Sequence, residues 1–232
     1  MPETGWLIGA AVGVICAIRW AAAAVYDVLI VKMTSKWYAS VLKDLENSST
    51  LLDVGIGTAT ALRNNKSLVE AKDLRVAGVD YDARYIKAAE RRIAGDAKLR
   101  DRVSVVCASV YDGPVLAALR PQGGFDAAYF SGSLTLMPDP VEALQAVAAV
   151  VRPGGRIYVT QTYQKRAAPV MRVVKPLLRY LTTIDFGRLT STAEAERIFR
   201  ESELELVEHA PIAGSVDTVF QTAFRTVLRV PK

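Results

Sequence analysis

Two acidic residues, each near the end of an apolar run, are the groups best placed to do chemistry. They are Asp53 in Leu51-Leu52-Asp53-Val54-Gly55-Ile56-Gly57-Thr58-Ala59 and Asp80 in Val76-Ala77-Gly78-Val79-Asp80. A buried acid is costly unless something polar or cationic meets it. Glycines at 55 and 57 let the main chain approach a ligand closely, and a helix opened by such a turn favours a carboxylate or phosphate at its N-terminus. An acid at the end of the following strand can accept both hydroxyls of a ribose. An ordinary strand-to-helix turn with an incidental acid explains the first run but leaves the second without a reason.

Two kinds of ribose-bearing cofactor compete for such a site. A dinucleotide turn wants a third glycine five residues after the first, and position 60 is Thr60. Asp53, two residues ahead of Gly55, would repel a pyrophosphate, whereas it suits the ammonium group of a methionyl chain. Charge therefore favours S-adenosylmethionine.

Composition narrows the remaining classes. The 232-residue chain is 51% hydrophobic and 23% charged, enough to bury the core of one α/β domain. A formal charge of +5 attracts nucleic acid, anionic membrane and acidic small molecules alike. No basic run interleaved with aromatics follows, so nucleic acid is not expected as a partner. Cys16 and Cys107 sit far apart in apolar surroundings and read as small core residues, not a disulfide or zinc set. A single histidine, His209, offers neither a metal cluster nor a Ser-His-Asp arrangement, and no metal site is expected.

Positioning these groups requires a scaffold, and the chain supplies alternating elements. Strand-like runs at Thr50 to Val54, Leu74 to Asp80, Val103 to Cys107, Phe125 to Phe130 and Arg156 to Gln161 are separated by helical patterns, which predicts a parallel sheet with helices on both faces. Asp82, Asp139 before Pro140, and Ser191 with Glu194 are helix-start signals. Two further runs, Leu204 to His209 and Val219 to Val230, predict a closing hairpin. A linking helix is expected around Ser35 to Glu46.

Ahead of this lies an apolar segment, residues 6–31, interrupted by Arg19 and Asp27. It is long enough to cross a bilayer. About seven aliphatic residues at roughly −0.5 kcal/mol each are largely offset by one central arginine at roughly +2.5 to +3.5 kcal/mol. Met1-Pro2-Glu3-Thr4 lacks the positive start of a secretory signal, and Lys32, Lys36 and Lys43 would keep the following domain on the cytoplasmic or mitochondrial matrix side. The expected division is a membrane-associated helical segment over 1–46 and the catalytic domain over 47–232, with a membrane surface or partner subunit met through residues 6–31. A helix packed on its own domain is the competing reading.

From Leu51 to the C-terminus the chain resembles the class I S-adenosylmethionine-dependent methyltransferases. The likeness rests on the Asp53-to-Gly57 turn, Asp80, Phe125-Asp126, and Val150-Val151-Arg152-Pro153-Gly154-Gly155-Arg156, which looks like the turn before the family's fifth strand. It implies a Rossmann-like α/β fold with a seven-stranded sheet whose last strand is antiparallel. It also implies a cofactor set of Asp53, Gly55, Gly57, Thr58, Asp80, Tyr81, Ser109, Val110 and Ser131, with Asp80 on the ribose, Tyr81 beside the adenine, and Ser109 and Val110 near its edge. Two positions depart from the pattern: Ala59 replaces a third glycine, and Ser109 stands where many members have Asp. Asp112 is the nearby candidate to take over that contact.

Methyl transfer from a sulfonium needs alignment and exclusion of water more than an acid or base, and positioning can supply on the order of 7 to 11 kcal/mol. No catalytic side chain is therefore legible. Ser131-Gly132-Ser133-Leu134-Thr135-Leu136-Met137 is unlike the Asn/Asp-Pro-Pro-Tyr pattern used on planar nitrogens, and Leu134, Leu136 and Met137 suit a lipophilic acceptor or simply the core. Residues 163–190 occupy the place of a substrate lid and carry Lys165, Arg166, Arg172, Lys175, Arg179 and Arg188 against Asp185. A basic amphipathic element there would suit an anionic bilayer, with a solvated charged face as the plainer alternative. The expected function is methyl transfer to a small, lipophilic or membrane-derived acceptor. The alternative is a retired methyltransferase fold serving as a structural or assembly subunit of a membrane complex. Protein or RNA modification would need an extended basic groove that the sequence lacks.

Overall fold

The computed structural model describes residues 30–165 and 190–232. Its elements are helix α1 (residues 30–44), β1 (Thr50–Val54), α2 (Thr60–Arg63), α3 (Lys66–Ala71), β2 (Arg75–Asp80), α4 (Ala83–Ala94), β3 (Val103–Cys107), α5 (Gly113–Leu119), β4 (Phe125–Ser131), a 3₁₀ turn (Leu134–Leu136), α6 (Pro140–Ala148), β5 (Val151–Gln164), α7 (Thr192–Glu201), β6 (Glu205–Pro211) and β7 (Gln221–Arg229). The strands form one seven-stranded sheet in the order β3-β2-β1-β4-β5-β7-β6. Strands β1 to β5 are parallel, and β7 runs antiparallel to both β5 and β6. Chain order reverses between β1 and β4, and the carboxyl ends of strands at such a switch point are where open α/β sheets bind ligands.

Buried strands with side chains on both faces produce two cores. One face packs Leu51, Tyr129 and Tyr158 against α1 to α4, using Val41, Leu42, Leu62, Val69, Ile86 and Ile93. The other packs Leu52, Phe130 and Val159 against α5 to α7, using Leu116, Leu144, Val147 and Phe199. Asp82, Asp112, Asp139 and Ser191 each accept main-chain N–H groups at the start of α4, α5, α6 and α7, satisfying donors that helices otherwise leave unpaired.

Several expectations need correction. Strand β5 begins at Val151, ahead of Arg156, because the Arg152–Gly155 stretch is a bulge within the β4–β5 pairing, with Gly154 at φ 77°. It also runs on to Gln164, since β7 pairs with it along its whole carboxyl end. Cys107 is exposed and not a core residue, because it closes β3 at the sheet's edge. Cys16 lies outside the described residues. Asp112 is committed to capping α5, accepting from Val115 N at 3.2 Å, and so is not a free substitute for an acid at 109.

Helix α1 is bound to the sheet. Its face of Trp37, Tyr38, Val41 and Leu42 is buried at helical spacing. Trp37 Nε1 donates to Ser215 Oγ at 2.8 Å, and Arg225 donates to Ser40 O at 3.2 Å. Asp44 accepts from the Tyr158 hydroxyl at 2.8 Å and lies 3.4 Å from Arg156. Among the described residues no helix is long and apolar enough to cross a membrane. The apolar segment up to residue 29, and residues 166–189 of the expected lid, lie outside the described residues.

Candidate functional site

The turn after β1 is held by main-chain bonds across to β2. Gly55 N and Ile56 N both donate to Val79 O, at 2.8 and 3.2 Å. Gly55 has φ 75°, and a Cβ there would stand 2.6 Å from Ser133 Cβ, so this glycine is demanded by the β4 loop as well as by its backbone angle. Ser133 Oγ completes the joint by donating to Val54 O at 2.5 Å. Gly57 differs: its φ is 57°, and nothing lies within 4 Å of where a Cβ would stand. Its N–H donates to Asp80 Oδ2 at 2.9 Å. Ala59 adopts φ 56° although it has a side chain, so the position of the missing third glycine keeps the left-handed conformation at a cost of roughly 1 to 2 kcal/mol. The helix that follows is short, and Asn64 and Asn65 turn the chain into α3, their amides donating to Ser35 on α1.

Asp53 is completely buried on β1, beside Gly78 of β2 and Tyr129 of β4. Its Oδ2 accepts from the Tyr38 hydroxyl at 2.8 Å, while its Oδ1 is buried with no hydrogen-bond partner among the described residues. Burial pushes this carboxyl up to about 7; the Tyr38 bond pulls it down and the charge of Asp80 pushes it up. Asp80, 8% exposed, accepts from Gly57 N and from Asp82 N, each at 2.9 Å. Burial raises its carboxyl above the ordinary value, and those two N–H groups oppose the shift.

The other expected residues fall around the same carboxyl edge. Thr58 follows Gly57, and its hydroxyl shares a 2.8 Å hydrogen bond with that of Thr60. Tyr81, 81% exposed, offers a free aromatic face directly after Asp80. Ser109 is exposed and accepts from Tyr111 N at 3.2 Å, whereas the Val110 side chain belongs to the core, leaving only its main chain for a ligand. Ser131 ends β4, its Oγ buried without a hydrogen-bond partner among the described residues. Leu134 is core, while Leu136 is half exposed. Sequence reasoning missed Tyr38 and Ser133. Both act across the fold on the Asp53 strand, and nothing in their local spacing announces a contact with it.

This arrangement fits S-adenosylmethionine. An orphaned carboxylate oxygen can take an ammonium, a second acid beside the glycine turn can take ribose hydroxyls, and an open aromatic face can stack on a purine. The sheet order, with its antiparallel β7, defines the class I Rossmann-like methyltransferase fold. A methyltransferase-domain family matches residues 51–155, just under half of the chain, and the methyl donor of class I methyltransferases is that cofactor.

Among similar proteins, the O-methyltransferase resE of Aspergillus sclerotiorum is 27% identical over 73% of this chain and 60% of its own length. A ubiquinone biosynthesis O-methyltransferase of Cupriavidus pinatubonensis is 34% identical over 39% of this chain and 38% of its own. The chain thus matches less than two thirds of either relative. A crystal structure of an S-adenosylmethionine-dependent methyltransferase from Aquifex aeolicus shares the fold with a TM-score of 0.60 at 16% identity, covering 83% of this chain and 88% of the other.

Proposed function

We propose that this protein transfers a methyl group from S-adenosylmethionine to a small, lipophilic acceptor of the quinone or phenol kind. The observation that carries the cofactor half of this reading is the pairing of buried Asp53, one oxygen unpartnered, with Asp80 across the glycine turn. Asp53, Gly55, Gly57, Thr58, Asp80, Tyr81, Ser109, Val110 and Ser131 form the cofactor set, with Asp53 at the ammonium, Asp80 at the ribose and Tyr81 beside the adenine. The bound cofactor supplies an electrophilic methyl group on a good leaving group; the protein's part is to orient the acceptor in line and keep water out.

Support for an apolar acceptor comes from the same edge of the sheet. Leu136 follows β4, and Val219 and Phe220 precede β7 where it meets the end of β5; all three are exposed. Large apolar side chains exposed at the edge of the sheet that carries the proposed cofactor set favour an apolar ligand. The two curated relatives, named for O-methylation and one for ubiquinone biosynthesis, agree with this class. Residues 6–31, with the basic set Lys165, Arg166, Arg172, Lys175, Arg179 and Arg188 in the lid position, are the parts proposed to meet an anionic bilayer and bring the protein to such an acceptor.

Calorimetric titration of the full chain in mild detergent tests the cofactor. Micromolar binding of both S-adenosylmethionine and S-adenosylhomocysteine is expected, followed by transfer of labelled methyl to demethylated quinones and phenols. Absence of binding by folded protein would replace the enzyme with a retired scaffold. Equal flotation on neutral and anionic liposomes would remove the bilayer from the proposal.

A further inference from the structure

We propose that Tyr38 on α1 is a positioning residue of the cofactor site, orienting the Asp53 carboxylate so that its second oxygen receives the cofactor's methionyl ammonium. The inference rests on the S-adenosylmethionine reading and assigns a role to a residue ahead of the family-matched span 51–155.

Tyr38 is 3% exposed, and its ring meets Tyr129 edge-on, with centroids 4.9 Å apart and planes at 80°. Tyr129 is fixed in turn, its hydroxyl sharing a 2.8 Å hydrogen bond with Thr160 Oγ1 on β5. The phenol of Tyr38 is thereby held at one angle over β1, with its proton on Asp53 Oδ2. A phenol has a single proton to donate, so it satisfies one oxygen and leaves the other. That other oxygen, Oδ1, is the buried atom with no partner among the described residues.

A packing role would be served as well by phenylalanine, and would avoid burying a hydroxyl and an acid together. The titratable groups around Asp53 are Tyr38 from α1, Tyr129 from β4 and Asp80 from β2, and among the described residues no lysine or arginine pairs with it. A carboxylate held by one neutral donor, near a second acid, lacks a cation. The ligand's ammonium is the group that supplies it.

The test compares S-adenosylhomocysteine, which carries the ammonium, with 5′-methylthioadenosine, which shares the adenosine and thioether but lacks the amino-acid part. Calorimetry on the full chain should show Tyr38→Phe weakening S-adenosylhomocysteine by roughly tenfold or more at pH 7.5 while 5′-methylthioadenosine stays within about twofold. In the native chain, affinity for S-adenosylhomocysteine should fall as pH drops below about 7, where Asp53 takes up a proton. Because the Tyr38 bond favours the ionised acid, Tyr38→Phe should move that fall to higher pH. In an Asp53→Asn background, Tyr38→Phe should have no further effect on S-adenosylhomocysteine. Equal weakening of both ligands, an unmoved pH profile, or a full Tyr38→Phe effect in Asp53→Asn protein each overturns the positioning role. Failure of the native chain to bind either ligand overturns the cofactor reading itself.

Discussion

The two ends of the sheet bury polar groups in opposite ways. On the β3-β2-β1-β4 side the buried groups are acids: Asp53 against Tyr38, and Asp80 against the Gly57 and Asp82 main chain. On the β5-β7-β6 side stands a half-buried histidine in an aromatic cluster. His209 stacks on Phe224 with centroids 4.6 Å apart and planes at 15°, while Tyr163 and Phe199 lie 5.9 and 5.8 Å away. Its Nδ1 shares a 2.8 Å hydrogen bond with Thr226, and its Nε2 is buried without a partner among the described residues. Burial raises the Asp53 carboxyl and lowers the His209 imidazole, so it favours the neutral form of each. An unpartnered buried atom therefore supports a ligand site only where other ligand-binding groups lie beside it. Asp53 has a glycine turn, a second acid and an exposed aromatic side chain nearby in the chain, whereas the neighbours of His209 are aromatic rings.

Breaking the histidine end should cost stability and spare the cofactor. Phe199→Ala removes a ring that is 2% exposed and should lower unfolding free energy by about 3 to 5 kcal/mol in urea melts. Cofactor affinity of the folded fraction should be unchanged; a parallel loss of affinity would show the two ends to be coupled.

The acid end should reveal itself through pH. Folding raises the Asp53 carboxyl to about 7, so the native state binds more protons than the unfolded chain between about pH 4 and 7, and stability from this group falls as pH rises through that window. The ionised, cofactor-free fold should carry a penalty of roughly 4 kcal/mol, which Asp53→Asn removes, flattening the profile. His209 acts with the reverse sign: its lowered value means that stability rises with pH from that value up to the ordinary histidine range. Melts of Asp53→Asn that keep the native slope would contradict this division.

Asp80→Ala should weaken cofactor binding by roughly 1.5 to 3 kcal/mol in titrations, by removing hydrogen bonds to a charged acceptor. Unchanged affinity would mean that the ribose lies elsewhere. The smallest effect expected is from Ala59→Gly, which relieves a left-handed backbone angle and should stabilise the fold by about 1 kcal/mol or less, read as a small rise in melting temperature.

Much of the sheet is legible from apolar runs because both its faces are covered, which leaves strands as short continuous apolar segments bounded by glycine, proline and acids. Strand β1 from Thr50 to Val54 and strand β3 from Val103 to Cys107 could be delimited this way, as could the capping residues Asp82, Asp139 and Ser191. The last three residues of β5, Thr162 to Gln164, could not, since they depend on pairing with a strand some sixty residues later. Within the candidate site, Asp53, Gly55, Gly57 and Asp80 share one stretch of local spacing. Tyr38 does not; its partner lies across the sheet face, and residues 35 to 46 read only as a connecting helix. Cys107 was misplaced because apolar neighbours in sequence do not reveal that a strand is the last one in its sheet.

Clamping α1 to Asp53 through Tyr38, and to the β5–β7 side through Asp44 and Ser40, makes this helix a thermodynamic lever. An agent that shifted this helix would move the Tyr38 hydroxyl relative to Asp53, and with it the field at the proposed ammonium subsite. Reciprocity then requires cofactor occupancy to change that agent's hold on the helix by the same factor. If the proposed cofactor site and the proposed surface contact both hold, occupancy of one would then bear on occupancy of the other through this helix.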